Sequence, residues 1–517
     1  MSEIVNSSLK TTIKGTLLVF LGIIANNIIL FLSRILIVRN TTKEELGIYS
    51  LAVAIAGIAS LIACLGLQEG ISRFISIYLG GGKENDIGPI YRSSIQIGII
   101  SSIVSFSILY FFSGMIAKYI FYMPELITPL KIISFYVPFS IISVLISAIL
   151  RGHGIIKAKI YCLDIGQPIF FLVFLGLIFF LSLSFISIIY AYLFSMIIGF
   201  AVIGNYGYRK IRLNPFSLRG GHSAKELLNF SIPILGVSIL GLILTWTDTL
   251  MLGRYTTAEY VGTYNVSTTL ARSLTLPLIA LVFVFMPIAG EMYAKNHMLE
   301  LNRTNLILTK WIFSATFPVF FILFFFPEMT ITFLFGHRFI DSAIPLRILS
   351  LGFLFHALLG TNGVLMMVLN MSRELLNISI IGAVLNISIN YVLIKLLGYG
   401  IIGAAVATAV SYAILDVIAS IILYRKSKIH PSIYRYIKPV LGSSVIGLII
   451  YAIAKSLPFY FWMMPIYFTL FVAGYVFSLF VTKNIDKEDV AMINTISEKT
   501  GIKLDMLTKV IYKFTHN

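Results

Sequence analysis

The sequence predicts an all-α polytopic membrane protein of fourteen transmembrane helices, arranged as two pseudo-symmetric six-helix lobes followed by a C-terminal helix pair. Three observations predict it. The 517 residues are 58% hydrophobic and only 12% charged, with a mean hydropathy of +0.94, far above the usage of soluble domains. Apolar runs of ~20 residues, enough to cross ~30 Å of hydrocarbon, recur almost end to end. A short segment near the start of the chain also returns near its middle. Arg39, Thr41, Thr42, Glu44, Gly47 and Tyr49 match Arg254, Thr256, Thr257, Glu259, Gly262 and Tyr264, each pair 215 positions apart.

The apolar runs are 15–38, 47–67, 89–112, 126–150, 160–182, 184–207, 228–252, 265–290, 309–327, 345–368, 375–396, 402–424, 437–455 and 460–481. The first is longer than a signal-peptide core and lacks a small-residue cleavage site, so it is read as a retained helix. The two repeat copies join the first run to the second and the seventh to the eighth. Six helices therefore separate them, which gives both copies one orientation and implies a parallel repeat. This divides the chain into a lobe over 1–207, a linker over 208–227, a second lobe over 228–424, a helix pair over 425–482 and a tail over 483–517. Asn214-Pro215 and Gly220-Gly221 supply turn signals in the linker. In the tail, Leu504, Leu507, Val510, Ile511 and Phe514 recur at helical spacing among Lys503, Lys509 and Lys513. That pattern fits an amphipathic helix on the membrane surface or a solvated helix packed on the base of the protein.

Cytoplasmic loops of membrane proteins collect Lys and Arg. Most of the 39 Lys and Arg residues lie on the side that holds both termini, which predicts a multi-pass cell-membrane protein with both termini cytoplasmic. The net charge of +17 is spread along those loops, where it suits anionic lipid headgroups and not nucleic acid. Cys64 and Cys162 lie in or beside apolar runs and form no disulfide framework.

Charged side chains inside a span are costly and need compensation. On the eighth run, Asn265, Thr268, Thr269 and Arg272 draw a polar stripe down one helix face. On the seventh, Thr245, Asp248 and Thr249 precede it, and Asp248 either pairs with Arg272 or Arg254 or lines a cavity with them. On the first run Asn27 and Arg34 share a face, and Arg34 either reaches into a cavity or snorkels to the headgroups. Glu69 and Arg73 stand at i,i+4 after the second run and can neutralise each other. Arg151, Asp164 and Gln167 sit at the inner ends of the fourth and fifth runs. His356 in the tenth could carry a proton or simply pack, and Ser379, Asn386 and Asn390 follow one face of the eleventh. The candidates for substrate binding are Arg34, Asn27, Asp248, Arg272, Thr268, Thr269, Asn386 and Asn390, and those for coupling or gating are His356, Asp164, Glu69 and Arg73. Gly400, Gly403, Ala404 and Ala407 keep the twelfth helix slim for close packing.

The sequence carries no phosphate loop, HExxH pair, CxxC pair or long outer loop for acid–base chemistry. No enzyme activity, metal or cofactor is therefore predicted. Arginines within a membrane cavity suit phosphate, which a guanidinium holds by bidentate, charge-assisted bonds.

Asp248-Thr-Leu-Met-Leu-Gly253 through Val261-Gly262-Thr-Tyr264 resembles the seventh-helix region of the polysaccharide-biosynthesis flippases, within the multidrug/oligosaccharidyl-lipid/polysaccharide exporter superfamily. Glu45-Leu-Gly47-Ile-Tyr49, Leu65-Gly66-Leu67 through Arg73, and Leu385-Asn386 through Asn390 with Gly398-Tyr-Gly400 to Thr408 agree with it. The resemblance spans the first twelve helices. It implies a multidrug-exporter-like pair of lobes, alternating access, and movement of a lipid-linked, phosphate-bearing oligosaccharide from the inner to the outer leaflet. The partners expected are that substrate, membrane lipids and glycosyltransferases of the same pathway, with the chain a monomer. Two alternatives stand beside it. One is a cation-coupled multidrug exporter of the same superfamily, against which the first helix lacks a carboxylate. The other is a membrane-embedded glycosyltransferase or polymerase, against which the outer loops are short.

Overall fold

A computed structural model describes residues 2–82, 87–211, 223–429, 434–456 and 464–481. Among the described residues there are helices and no strand, as a chain must be when every backbone group crossing hydrocarbon is satisfied within its own segment. The main helices are α1 (Ser2–Asn40), α2 (Lys43–Ala63), α3 (Leu67–Gly80), α4 (Ile87–Phe111), α5 (Tyr136–Gly152), α6 (Gln167–Phe180), α7 (Ile186–Ile211) and α8 (Ser223–Tyr255). They continue with α9 (Ala258–Arg272), α10 (Leu276–Ala294), α11 (Met298–Phe325), α12 (Ala343–Leu359), α13 (Ser372–Asn390), α14 (Gly400–Ser427), α15 (Tyr434–Ser456) and α16 (Met464–Val481).

Twelve spans among the described residues are long and apolar enough to cross a membrane. The thirteenth and fourteenth expected helices correspond to α15 and α16, whose apolar stretches Val440–Ile453 and Ile466–Leu479 are shorter. The tail with its expected amphipathic helix lies outside the described residues, as do linker residues 212–222. The second expected helix is longer than the sequence indicated. It breaks at Leu65 and Gly66, both left-handed (φ 52° and 69°), and resumes as α3, so Gln68, Glu69 and Arg73 stand on a second half-helix. Gly66 meets this turn at little cost because it has no Cβ.

The chain forms two compact units. One comprises Leu18–Asn265 with Asn390–Ile401. Its centre is α5, against which α3, α4 and α7 pack, and Val137, Ile141, Leu145, Ile149 and Leu150 make its buried face. Helix α8 runs along both α2 and α3 in this unit.

The other unit comprises Met1–Leu17, Val266–Ile389 and Ile402–Asn517. Here α11 packs on α10, α12 and α15. Phe321 of α11 stacks on Phe471 of α16 with ring centroids 5.0 Å apart, and the Tyr475 hydroxyl donates to the Ser314 carbonyl at 2.9 Å. These contacts hold the last helix pair to the rest of the unit. As expected, α14 is slim, with Ala404, Ala405 and Ala407 fully buried, and Gly352 of α12 lies directly on Ala409. Both cysteines are free and buried.

Candidate functional site

The site begins with the repeat. In its first copy Thr42 caps α2: its hydroxyl accepts from the Glu45 backbone N–H at 3.2 Å, and Glu45 accepts from the Thr42 N–H at 2.8 Å. This reciprocal box fixes the start of α2 and leaves Glu44, the glutamate shared by both copies, outside the cap. In the second copy the shared glutamate, Glu259, reaches Lys43 at 3.2 Å. The two copies are therefore neighbours, and the last matched residue of each with the one after it, Tyr49-Ser50 and Tyr264-Asn265, lies beside α1 or α8.

Arg34 of α1 points into this junction. Its guanidinium donates to Ser50 at 3.1 Å and to the side-chain oxygen of Asn265, and it lies 5.8 Å from the centre of the Tyr49 ring. Arg34 thus reaches into protein and does not snorkel. Its Nε is buried and donates to no acceptor, and among the described residues no carboxylate lies within ion-pair distance of it. Behind Tyr49 stands an aromatic wall. Tyr192 is edge-on to Tyr49 at 6.3 Å, stacked on Tyr136 at 4.8 Å and edge-on to Phe171 at 5.3 Å.

Asp248 of α8 is buried on the same side. The Tyr264 hydroxyl donates to its Oδ2 at 2.6 Å, and Asn390 donates to its Oδ1 at 2.8 Å. Neither partner is charged. Arg254, offered above as a counter-ion for Asp248, instead lies over Tyr122 with its guanidinium carbon 4.4 Å from the ring centre. One pair of tyrosines, equivalent in the repeat, thus serves opposite charges: Tyr49 offers its ring face to a cation, and Tyr264 its hydroxyl to an anion.

Of the other candidates in this unit, Asn27 is half-buried and turns its amide to the Ile23 carbonyl of its own helix at 2.8 Å. Glu69 and Arg73 do not neutralise each other. Glu69 binds Arg151 of α5 at 3.0 Å, while Arg73 lies over Phe230 at 4.2 Å. The break before α3 turns the glutamate toward α5, which i,i+4 spacing on one helix does not reveal. Asp164 binds Lys159 at 3.3 Å, and Gln167 donates to Ser195 at 3.3 Å.

In the other unit, Thr268 and Thr269 are half-buried, Arg272 is exposed and Asn386 is buried, while the Ser379 hydroxyl turns back to the Leu375 carbonyl at 2.9 Å. His356 has a partner that the sequence reading missed. Its Nδ1 lies 3.0 Å from Oδ2 of Asp416 on α14, and Tyr412 packs on the imidazole with ring centroids 4.7 Å apart. Ser420 donates to the Asp416 carbonyl at 2.8 Å and accepts from Asn362 at 2.7 Å. The signal for Asp416 was present, an acidic residue inside the twelfth apolar run. Tyr264 was equally visible as one of the repeat identities, but nothing in spacing alone directs its hydroxyl at Asp248. Among the described residues no group of His, Cys, Asp and Glu could hold a metal ion.

A chain of at least twelve membrane-length helices, with charges buried inside them on hydrogen-bonding partners, is a multi-pass membrane protein. It belongs to the polysaccharide biosynthesis protein family, whose model matches residues 12–293, more than half of the chain. No curated protein matches it in sequence. Solved structures share its fold at low identity. The lipid II flippase MurJ in an inward closed conformation is 16% identical over 90% of this chain and 98% of its own, with a TM-score of 0.70. An inward-facing multidrug resistance MATE family transporter of the MOP superfamily is 15% identical over 78% and 94%, with a TM-score of 0.65. A MOP superfamily transporter from Pyrococcus furiosus, described by the reversed polarity of its binding pocket, is 13% identical over 80% and 98%, with a TM-score of 0.53. The fold is therefore that of the MATE and MurJ transporters.

Proposed function

We propose that this protein is a flippase that carries a lipid-linked oligosaccharide with a phosphate-bearing head across the cell membrane by alternating access, with both termini in the cytoplasm and two six-helix lobes related by the repeat. The observation that carries this is Arg34. A guanidinium within a membrane span is expensive unless something compensates it, and this one is held by two neutral oxygens and a ring face, with one N–H to spare. Such an arginine is poised for an anion. Phosphate oxygens accept bidentate bonds from guanidinium, and a polyprenyl tail can remain in lipid while the head is bound. Membership of the polysaccharide biosynthesis family and the fold shared with a lipid II flippase support the same reading. Arg272, on the exposed polar face of α9, is proposed as a further contact for the head group.

The test is translocation of a fluorescent polyprenyl diphosphate saccharide in proteoliposomes, read by quenching of outer-leaflet label. Arg34→Ala and Arg272→Ala should each slow it with protein level unchanged. Failure to move any polyprenyl-linked saccharide of the host would overturn the proposal.

The pair of half-buried His356 and buried Asp416 favours a second element, coupling to protons. It does not depend on which substrate is carried, and it keeps open the reading as a cation-coupled exporter of other compounds. Drug resistance conferred on a sensitive host would decide for that reading.

A further inference from the structure

The two repeat copies touch each other reciprocally. Gly47 of α2 lies so close to the Ala258 carbonyl at the start of α9 that a Cβ on Gly47 would overlap it. Gly262 of α9 lies in the same way on the Lys43 carbonyl at the start of α2. Gly47 and Gly262 are equivalent in the repeat, and so are Lys43 and Ala258. This is the signature of a two-fold contact, in which one residue meets a second and the mates of both meet likewise. Two backbones come this close only where the facing residue has no side chain.

Two more contacts join these segments, and a third lies beside them. Lys43 binds Glu259 at 3.2 Å, Gly253 lies against the Leu51 side chain, and Arg254 covers Tyr122 at 4.4 Å. Immediately beyond the clasp, Ser50 and Asn265 hold Arg34. The two glycine contacts bring backbone against backbone, and Leu46, Leu51, Val261 and Tyr264 of the same segments are buried. Packed interfaces of this kind are bistable, either in full contact or apart.

We propose that the reciprocal contact of Gly47 and Gly262 is the gate at the outer end of the pathway, shut in this structure, and that its parting exposes Arg34 to that side. The proposal rests on the transport reading above. It explains why glycine stands at both matched positions, since any larger residue at either would hold the gate ajar.

The test uses the full-length chain with Cys64 and Cys162 replaced by serine. Lys43→Cys and Glu259→Cys together should form a disulfide on mild oxidation. Oxidation should stop translocation of the fluorescent polyprenyl diphosphate saccharide, and a reductant should restore it. In a separate chain, Ser50→Cys should label slowly with a bulky water-soluble maleimide, and Gly47→Leu or Gly262→Leu should speed labelling at least tenfold. An oxidised protein that translocates at the parent rate, or labelling unchanged by both leucines, would overturn the gate. If the parent translocates no saccharide, the transport reading fails, and the labelling of Ser50→Cys, which needs no substrate, still decides whether the clasp opens. Because the disulfide arm keeps both glycines, a folding defect in the leucine variants leaves the proposal open to refutation.

Discussion

Ser50 and Asn265, 215 positions apart and equivalent in the repeat, both accept hydrogen bonds from Arg34. A single side chain thus bridges two positions that the repeat makes equivalent. The position equivalent to Arg34 is Thr249, and the position equivalent to Asp248 is Ser33. Arg34 and Asp248 therefore stand where the two halves of the repeat differ.

Arg34→Lys should behave nearly as badly as Arg34→Ala. Lysine keeps the charge but loses the planar fork that spans Ser50 and Asn265. Initial translocation rates in proteoliposomes should fall about tenfold or more, the equivalent of about 1.4 kcal/mol. A lysine variant at the parent rate would show that charge alone suffices.

The two equivalent tyrosines should respond differently to loss of the hydroxyl. Tyr264→Phe removes a donor to a buried carboxylate and should cost about 1.5–3 kcal/mol, seen as a lower midpoint of thermal unfolding in detergent. Tyr49→Phe keeps the ring face that Arg34 approaches and should cost well under half of that. Equal losses would place the energy elsewhere.

His356 and Asp416 should act as one unit. An imposed proton gradient is expected to speed translocation by the parent chain, and Asp416→Asn should remove that response while leaving movement down the substrate's own gradient. His356→Ala should do the same, and the double variant should be no worse than either single one, because residues joined by one bond couple strongly. Additive losses would separate the two groups.

Glu69→Gln should be mild. Its bond to Arg151 joins two side chains that are each more than a third exposed, and such pairs contribute about 0.2–1 kcal/mol. Translocation and thermal midpoint should both stay close to the parent, and a large loss would assign this pair a part in gating.

Gly352→Leu should be severe for stability. The new side chain would enter the backbone of Ala409 on α14, and overpacking of this kind typically costs ~1–3 kcal/mol or more. Yield of monodisperse protein after detergent extraction is the measure. Normal yield would mean that α12 and α14 can move apart.

The candidate site was partly legible before the structure. Arg34 and Asp248 stand out because a charge in an apolar run must have a reason; Arg34 is half-buried and Asp248 buried, each on specific partners. Asp416 carries the same signature, an acidic residue in an apolar run, but its pairing with His356 depends on how α12 and α14 pack. Glu69 and Arg73 misled for the opposite reason. Their spacing is that of an i,i+4 pair, and the competing partner, Arg151, is distant in sequence and close only across packed helices.

The sequence by itself determined that this is a multi-pass helical membrane protein with an internal repeat, because backbone hydrogen bonding leaves only helices and closed barrels to span hydrocarbon, and apolar runs of ~20 residues match its thickness as helices. It also marked which charges were out of place. Only the tertiary structure decided what those charges touch. The meeting of Gly47 with Ala258 and of Gly262 with Lys43 depends on how two distant segments dock, and hydropathy and spacing describe each helix alone. Partner choice, for Arg34 as for Glu69 and His356, is a property of packing between helices, where a few ångströms separate a hydrogen bond from none.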